Sequence, residues 1–167
     1  MNERRFFGRL LDADNAAAYR EELRGEGKTV VFTNGCFDVL HAGHVEYLSW
    51  ARAQGDALIV GLNEDDSVRK LKGRSRPIVP FADRAELLLA LRSVDAVVGF
   101  AELTPEVLLE RLRPDIHVKS DQYRADELPE RTVVLAHGGR IALAPHVAGR
   151  STTDVIAAIL NAYSRHG

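Results

Sequence analysis

A chain of 167 residues with 22 lysines and arginines against 24 aspartates and glutamates gives no bulk electrostatic case for binding nucleic acid or an anionic membrane. No apolar run approaches the ~20 residues a membrane helix needs, and Met1-Asn2-Glu3-Arg4-Arg5 leads into no sustained apolar segment of the signal-peptide kind. The single cysteine excludes an internal disulfide and suits a reducing compartment, so the expectation is a soluble, cytoplasmic domain with one core.

Residues 1–27 are polar and helix-compatible and close on Gly25-Glu26-Gly27. They read as a helical arm for packing or dimerisation, ahead of a domain over residues 28–167. Val30-Val31-Phe32-Thr33 is a β-branched, apolar run of buried-strand type, broken by the turn pair Asn34-Gly35. From Gly43 to about Gln54 the spacing turns helical, with Val45, Leu48 and Ala51 on one side. Ala57 to Asn63 is a continuous apolar run, as in a parallel strand covered on both faces. A helix starts near Glu64, and a cationic run from Arg69 to Arg76 follows it, closed by Pro77. Ala82 to Leu91 reads as a helix and Asp95 to Phe100 as a strand. Thr104-Pro105-Glu106 is a helix start, with Thr104 as the cap and Pro105 in the first turn. Ile116 to Lys119 is a short strand and residues 124–130 a polar loop. Arg131 to Leu135 and Arg140 to Ala144 look like two late strands around His137-Gly138-Gly139, and Ser151-Thr152-Thr153-Asp154 caps a last helix. This alternation predicts an α/β fold: a doubly wound, mostly parallel sheet in a single domain, with one ligand crevice at the carboxyl ends of its strands.

Three stretches could carry chemistry. His41 and His44 straddle Gly43 at a helix start, where unpaired N–H groups and the helix dipole favour an anion. Both imidazoles can donate to one phosphate, and Gly43 lets it approach the backbone. Spacing alone leaves two rivals: a metal site built on Asp38, His41 and His44, or ordinary histidines in a loop. The basic run is either a solvated face or a clamp, in which Arg74 and Arg76 grip phosphate oxygens while Lys70 and Lys72 add point charges. Gly149-Arg150-Ser151-Thr152 is first a helix cap, and by the same geometry an anion site. Cys36 has no visible base partner, which argues against a nucleophilic role.

Thr33-Asn34-Gly35-Cys36-Phe37-Asp38-x-x-His41-x-Gly43-His44 resembles the signature of the cytidylyltransferase-like nucleotidyltransferases, whose hallmark is His-x-Gly-His. The likeness runs from about residue 28 to about residue 160. Ser67 to Ile78 is similar to the branch that makes ADP-heptose. The resemblance implies a Rossmann-like fold and nucleotide contacts from Thr33, Asn34, Gly35, Phe37, Gly43, Lys119, Arg150, Ser151 and Thr152. It also implies catalytic donors in His41, His44, Lys72 and Arg76, and substrate contacts from Asp38, Arg74 and Tyr123, with Asp38 alternatively positioning the turn. Where the family has Lys-Gly-Gly-Asp-Tyr, this chain reads Lys119-Ser120-Asp121-Gln122-Tyr123, so only Lys119 and Tyr123 carry over.

The implied reaction is in-line attack of a sugar 1-phosphate on the α-phosphorus of ATP, with pyrophosphate leaving and Mg²⁺ arriving on the triphosphate. A phosphate monoester is largely dianionic at neutral pH and needs no general base. CTP with glycerol 3-phosphate is the runner-up pair. A nucleotide-binding regulator and a metal-dependent hydrolase are readings of other classes. The likeness further implies a homodimer.

Overall fold

The alternating pattern is realised as six strands and seven helices among residues 7–164, the part of the chain described by this computed structural model. β1 (Arg9–Leu11) and α1 (Ala13–Gly25) precede β2 (Val30–Gly35). Then α2 (Ala42–Arg52) leads to β3 (Ala57–Asn63), and α3 (Asp65–Lys72) and α4 (Phe81–Leu89) lead to β4 (Ala96–Phe100). The rest is α5 (Glu106–Leu112), β5 (Ile116–Ser120), α6 (Arg131–Ala136), β6 (Arg140–Ala144) and α7 (Thr152–Tyr163). All six strands lie parallel in one sheet of order β1-β4-β3-β2-β5-β6, which is the doubly wound, Rossmann-like α/β arrangement.

Period-two alternation along the buried strands sorts side chains to two faces. Leu58, Val60 and Leu62 of β3 pack with Leu48 and Ala51 of α2 and with Ala85 and Leu88 of α4. Ala57 and Ile59 face the opposite way, onto Leu108, Leu109 and Leu112 of α5 and Val134 of α6. From β2 the chain winds outward through β3 to β4 on one side, and β5 and β6 are added on the other. The winding therefore reverses between β2 and β5, and the connections leaving their carboxyl ends diverge. A crevice opens at that point.

Four local expectations are corrected. Residues 9–11, read as part of a helical arm, form an edge strand paired with Ala96–Val98 of β4; residues 1–6 of that arm lie outside the described chain. Residues 131–136 form α6, where the sequence suggested a strand. Three consecutive apolar residues, Val133 to Leu135, cannot separate the two by periodicity, but β5 and β6 are parallel neighbours and need a crossover between them. Lys70 and Lys72 sit on α3, so only Gly73 onward is loop. Pro105, not Thr104, stands at the cap of α5, and no side chain caps that helix.

Leu88 is fully buried between α4 and the sheet. Leu88→Ala is expected to lower stability by about 3 kcal/mol through lost transfer energy and the cavity left behind. Urea unfolding would show this as a lower midpoint at unchanged slope.

Candidate active site

At the carboxyl end of β2 the chain makes an unusual turn. Phe37 (φ 45°) and Val39 (φ 57°) both occupy the left-handed region, which side chains other than glycine rarely adopt. Asp38 between them supplies the restraint. Its carboxylate is fully buried and accepts from the backbone N–H groups of Ile78 and Val79, each at 2.9 Å, and from the Arg76 guanidinium. Its own carbonyl accepts from the Thr152 hydroxyl at 2.9 Å. Burial pushes the Asp38 carboxyl up, but the two backbone donors and Arg76 together outweigh it and hold the group below its ordinary value. Arg84, also buried, braces the turn from beneath. It donates to the carbonyls of Cys36 (2.6 Å) and Val79 (2.9 Å) and pairs with Asp65 at 2.7 Å.

His41 caps α2 in an extended conformation and His44 lies in its first turn. Their rings stack with centroids 3.9 Å apart. The Nδ1 atom of His44 faces the His41 backbone N–H in a long 3.4 Å contact, which makes Nδ1 the acceptor and leaves the ring proton on Nε2. Burial, aided by the neighbouring His41, lowers His44 to about 4, and burial lowers His41 as well. Both rings are thus neutral donors at pH 7. The Nδ1 atom of His41 is buried without a partner among the described residues.

Two cavities, of about 790 Å³ and about 400 Å³, open on this turn. They share a wall that includes Asn34, His44, Lys72, Lys119, Tyr123 and Thr152. The larger extends over Arg76, Asn63 and Leu103 toward Glu130. The smaller runs past His41 and Gly43 to Arg150 and Ser151. Lys119 projects from the end of β5 with Nζ 3.3 Å from Asn34 Oδ1 and 5.3 Å from the centre of the Tyr123 ring.

Most of the expected residues therefore meet in one crevice, Gly35 and Phe37 lining both cavities. Several roles change. Thr33 is wholly buried, its hydroxyl donating to the Val118 carbonyl and bonded to Tyr47, and it reaches neither cavity. Asp38 has its carboxylate occupied by protein donors, so it shapes the turn and does not offer itself to a substrate. Arg74 is exposed and lines neither cavity. Arg76 lines the larger one but is half-engaged by Asp38. At Gly43 a Cβ would sit 2.8 Å from the Arg150 carbonyl and 3.0 Å from the His41 ring, so the close approach there is made by the chain itself. Ser151 caps α7 as expected, bonding reciprocally with Asp154. Thr152 touches both cavities while tied to Asp38.

No group of three His, Cys, Asp or Glu side chains suited to a metal gathers among the described residues, and the Asp38 carboxylate that an Asp38–His41–His44 site would need is taken by Arg76 and two backbone amides. Burial pushes the Cys36 thiol up, against any role as a nucleophile. Sequence reasoning missed Glu130, which is buried at the start of α6 within 2.9 Å of Lys119 Nζ. Nothing in an isolated Pro129-Glu130 or Asp83-Arg84 pair announces burial.

Residues 32–158 match the model of the cytidylyltransferase-like family. The chain belongs to that family. This cytidylyltransferase-like chain is 48% identical over 162 residues to a bifunctional protein HldE of Syntrophotalea carbinolica, covering 93% of the chain and 33% of that protein. It is 53% identical over 147 residues to the HldE of Mesorhizobium japonicum, covering 88% of the chain and 30% of the relative. The chain thus spans about a third of the length of the curated relatives it matches. Among solved structures it resembles a lipopolysaccharide core biosynthesis protein from Thermoplasma volcanium, with TM-score 0.60 and 26% identity over 72% of this chain and 98% of that one. A pantoate-beta-alanine ligase from Francisella tularensis shares the fold alone, with TM-score 0.57 and 13% identity over 96% of this chain and 80% of that one.

The histidine pair sets a pH dependence. Between an unfolded value of ~6.5 and the folded value of about 4, the unfolded chain takes up a proton that half-buried His44 refuses. Stability is full above that window and falls as the pH drops through it. His44→Gln removes the titration, so its stability is expected to fall less than that of the wild type between about pH 7 and about pH 4.5. Parallel losses in urea midpoints would refute the assignment.

Proposed function

We propose that this chain transfers the adenylyl group of ATP to a heptose 1-phosphate and releases pyrophosphate. The observation that carries the reading is the shared wall of the two cavities. A transfer needs two substrates to meet at one bond, and His44, Lys72, Lys119 and Thr152 stand where the two spaces join. The likeness to HldE proteins, and to a protein described as acting in lipopolysaccharide core biosynthesis, favours a sugar phosphate as acceptor. The resemblance of the Ser67–Ile78 stretch to the ADP-heptose branch favours ATP over CTP, and a heptose as the sugar. Substrates of this kind belong to the cytoplasm.

In the proposed step an oxygen of the acceptor phosphate forms a bond to the α-phosphorus as the bond from that phosphorus to the bridging β-phosphate oxygen breaks in line. The electron pair leaves with pyrophosphate. The carboxylates that line the larger cavity each face a cation, Asp38 facing Arg76, Glu127 facing Arg124 and Glu130 facing Lys119, and no base is needed, because the nucleophile is already an anion. Neutral His44, held to a single tautomer, donates from Nε2 to the non-bridging oxygens as charge shifts onto them. Lys72 and Arg76 offset charge on the departing pyrophosphate, and Ser151 and Thr152 receive its far end at the α7 start. With no protein cage for a metal among the described residues, Mg²⁺ fits as a cargo of the triphosphate, keeping its waters and neutralising charge on the phosphates.

The test is pyrophosphate release from ATP or CTP against a panel of sugar 1-phosphates and glycerol 3-phosphate. Release is expected only with ATP and a heptose 1-phosphate together. Release from CTP with glycerol 3-phosphate would reassign both substrates, and ATP binding without acceptor-dependent release would make the chain a regulator. His44→Ala should lower kcat by ~10²–10³ if its Nε2 donor serves the transition state.

A further inference from the structure

Lys119 and Glu130 line the larger cavity and His117 lies behind them, three titratable side chains whose arrangement the reaction as described does not require. Glu130 is 2% exposed, His117 is wholly buried, and Lys119 is 14% exposed at the cavity face. One carboxylate oxygen, Oε1, lies 2.9 Å from Lys119 Nζ and 3.4 Å from His117 Nε2. Neither contact has the direction of a hydrogen bond, so Oε1 and both ring nitrogens of His117 lack a directed partner. Burial pushes His117 down, and the ring stays neutral at pH 7. Burial also pushes the Glu130 carboxyl up, but His117 and Lys119 outweigh it and bring the group to about 2, so it is ionised.

A buried carboxylate is a poor way merely to seat a helix. Leu128 and Val134, on either side, are buried and apolar, and an apolar residue between them would cost less desolvation. The carboxylate instead faces one cation, and that cation faces both cavities. An ammonium on a four-carbon stem otherwise samples many rotamers. With Glu130 behind it and Asn34 at 3.3 Å, Lys119 is retained at the wall but keeps donors free for a ligand oxygen.

We propose that Glu130, backed by His117, is a positioning residue that holds the Lys119 ammonium at the wall where the two substrates meet. The inference rests on the adenylyl-transfer reading for its kinetic consequence, though not for its geometry. Glu130→Gln keeps the shape and removes the charge. It is expected to lower kcat on the order of 10-fold, because a misplaced donor loses its fit to the transition state. The KM for ATP should stay level or fall, since the freed ammonium attracts phosphate more strongly without its counter-charge. In a Lys119→Ala background the same substitution should change kcat less than about two-fold. Losses that multiply in the double variant, or a KM that rises as kcat falls, would overturn the proposal and leave Glu130 a structural residue. If the Gln variant does not fold, Glu130→Asp, which keeps the charge but withdraws it by one methylene, enters the same cycle. Calorimetric binding of inorganic tripolyphosphate to the four proteins separates this idea from the activity itself. An affinity change on Glu130→Gln that vanishes without Lys119 supports positioning even if no acceptor is ever turned over. The same response in both backgrounds, whether a change or none, overturns it.

Discussion

The buried carboxylate of Asp38 is the constraint on which the crevice depends. Two flanking residues are held in left-handed backbone, at a cost on the order of 1–3 kcal/mol each. Such a turn persists only when the surroundings over-determine it. Asp38 does this by tying its own turn to two other parts of the chain: its carboxylate receives Arg76 and the amides of Ile78 and Val79, and its carbonyl receives Thr152. The loop after β2, the loop before α4 and the start of α7 are therefore positioned by one residue. Arg84 closes the same knot from below. A polar knot of this kind is stable only when every member is satisfied, because removing one partner leaves a buried charge alone.

The topology decides where that knot is useful. β2 and β5 are adjacent, and their connections diverge, so Asn34 and Lys119 face each other across the opening at 3.3 Å. Charge is graded across the crevice. Its floor holds neutral imidazoles, which donate without adding net charge, whereas cations stand at the rim on α3, at the end of β5 and ahead of α7. Under the proposed reaction, a highly charged ligand is attracted by these cations and oriented by the imidazoles, which separates capture from alignment.

Much of this was legible in the sequence, for identifiable reasons. Buried parallel strands are continuous apolar runs, and β2, β3 and β4 stand out as such. Ser151 was readable as a cap because Asp154 follows at the capping-box spacing. Other features depend on partners distant in the chain. Asp38 and Arg76 are 38 residues apart, and nothing local to either tells whether a carboxylate will meet a substrate or a guanidinium. Thr33 belongs to the signature stretch yet points to the Val118 carbonyl, since alternation along a strand sends neighbouring side chains to opposite faces. Glu130 looked like one more polar loop residue because its burial is created by a crossover between strands whose parallel pairing was not apparent from residues 131–135.

α7 stands apart from the rest of the structure. None of its side chains is fully buried, and Ile159, Leu160 and Tyr163 are 51%, 62% and 78% exposed. Its first turn is nevertheless tied to Asp38 and contributes Ser151 and Thr152 to the crevice. Local opening free energy follows buried contact, so the amide protons of α7 should exchange with solvent far sooner than those of β2 and β3. One end of the molecule is thereby a clasp on a loose hinge beside a rigid sheet. Under the proposed reaction, a phosphate received at that first turn departs when the clasp frays, without disturbing the strands that carry the rest of the site.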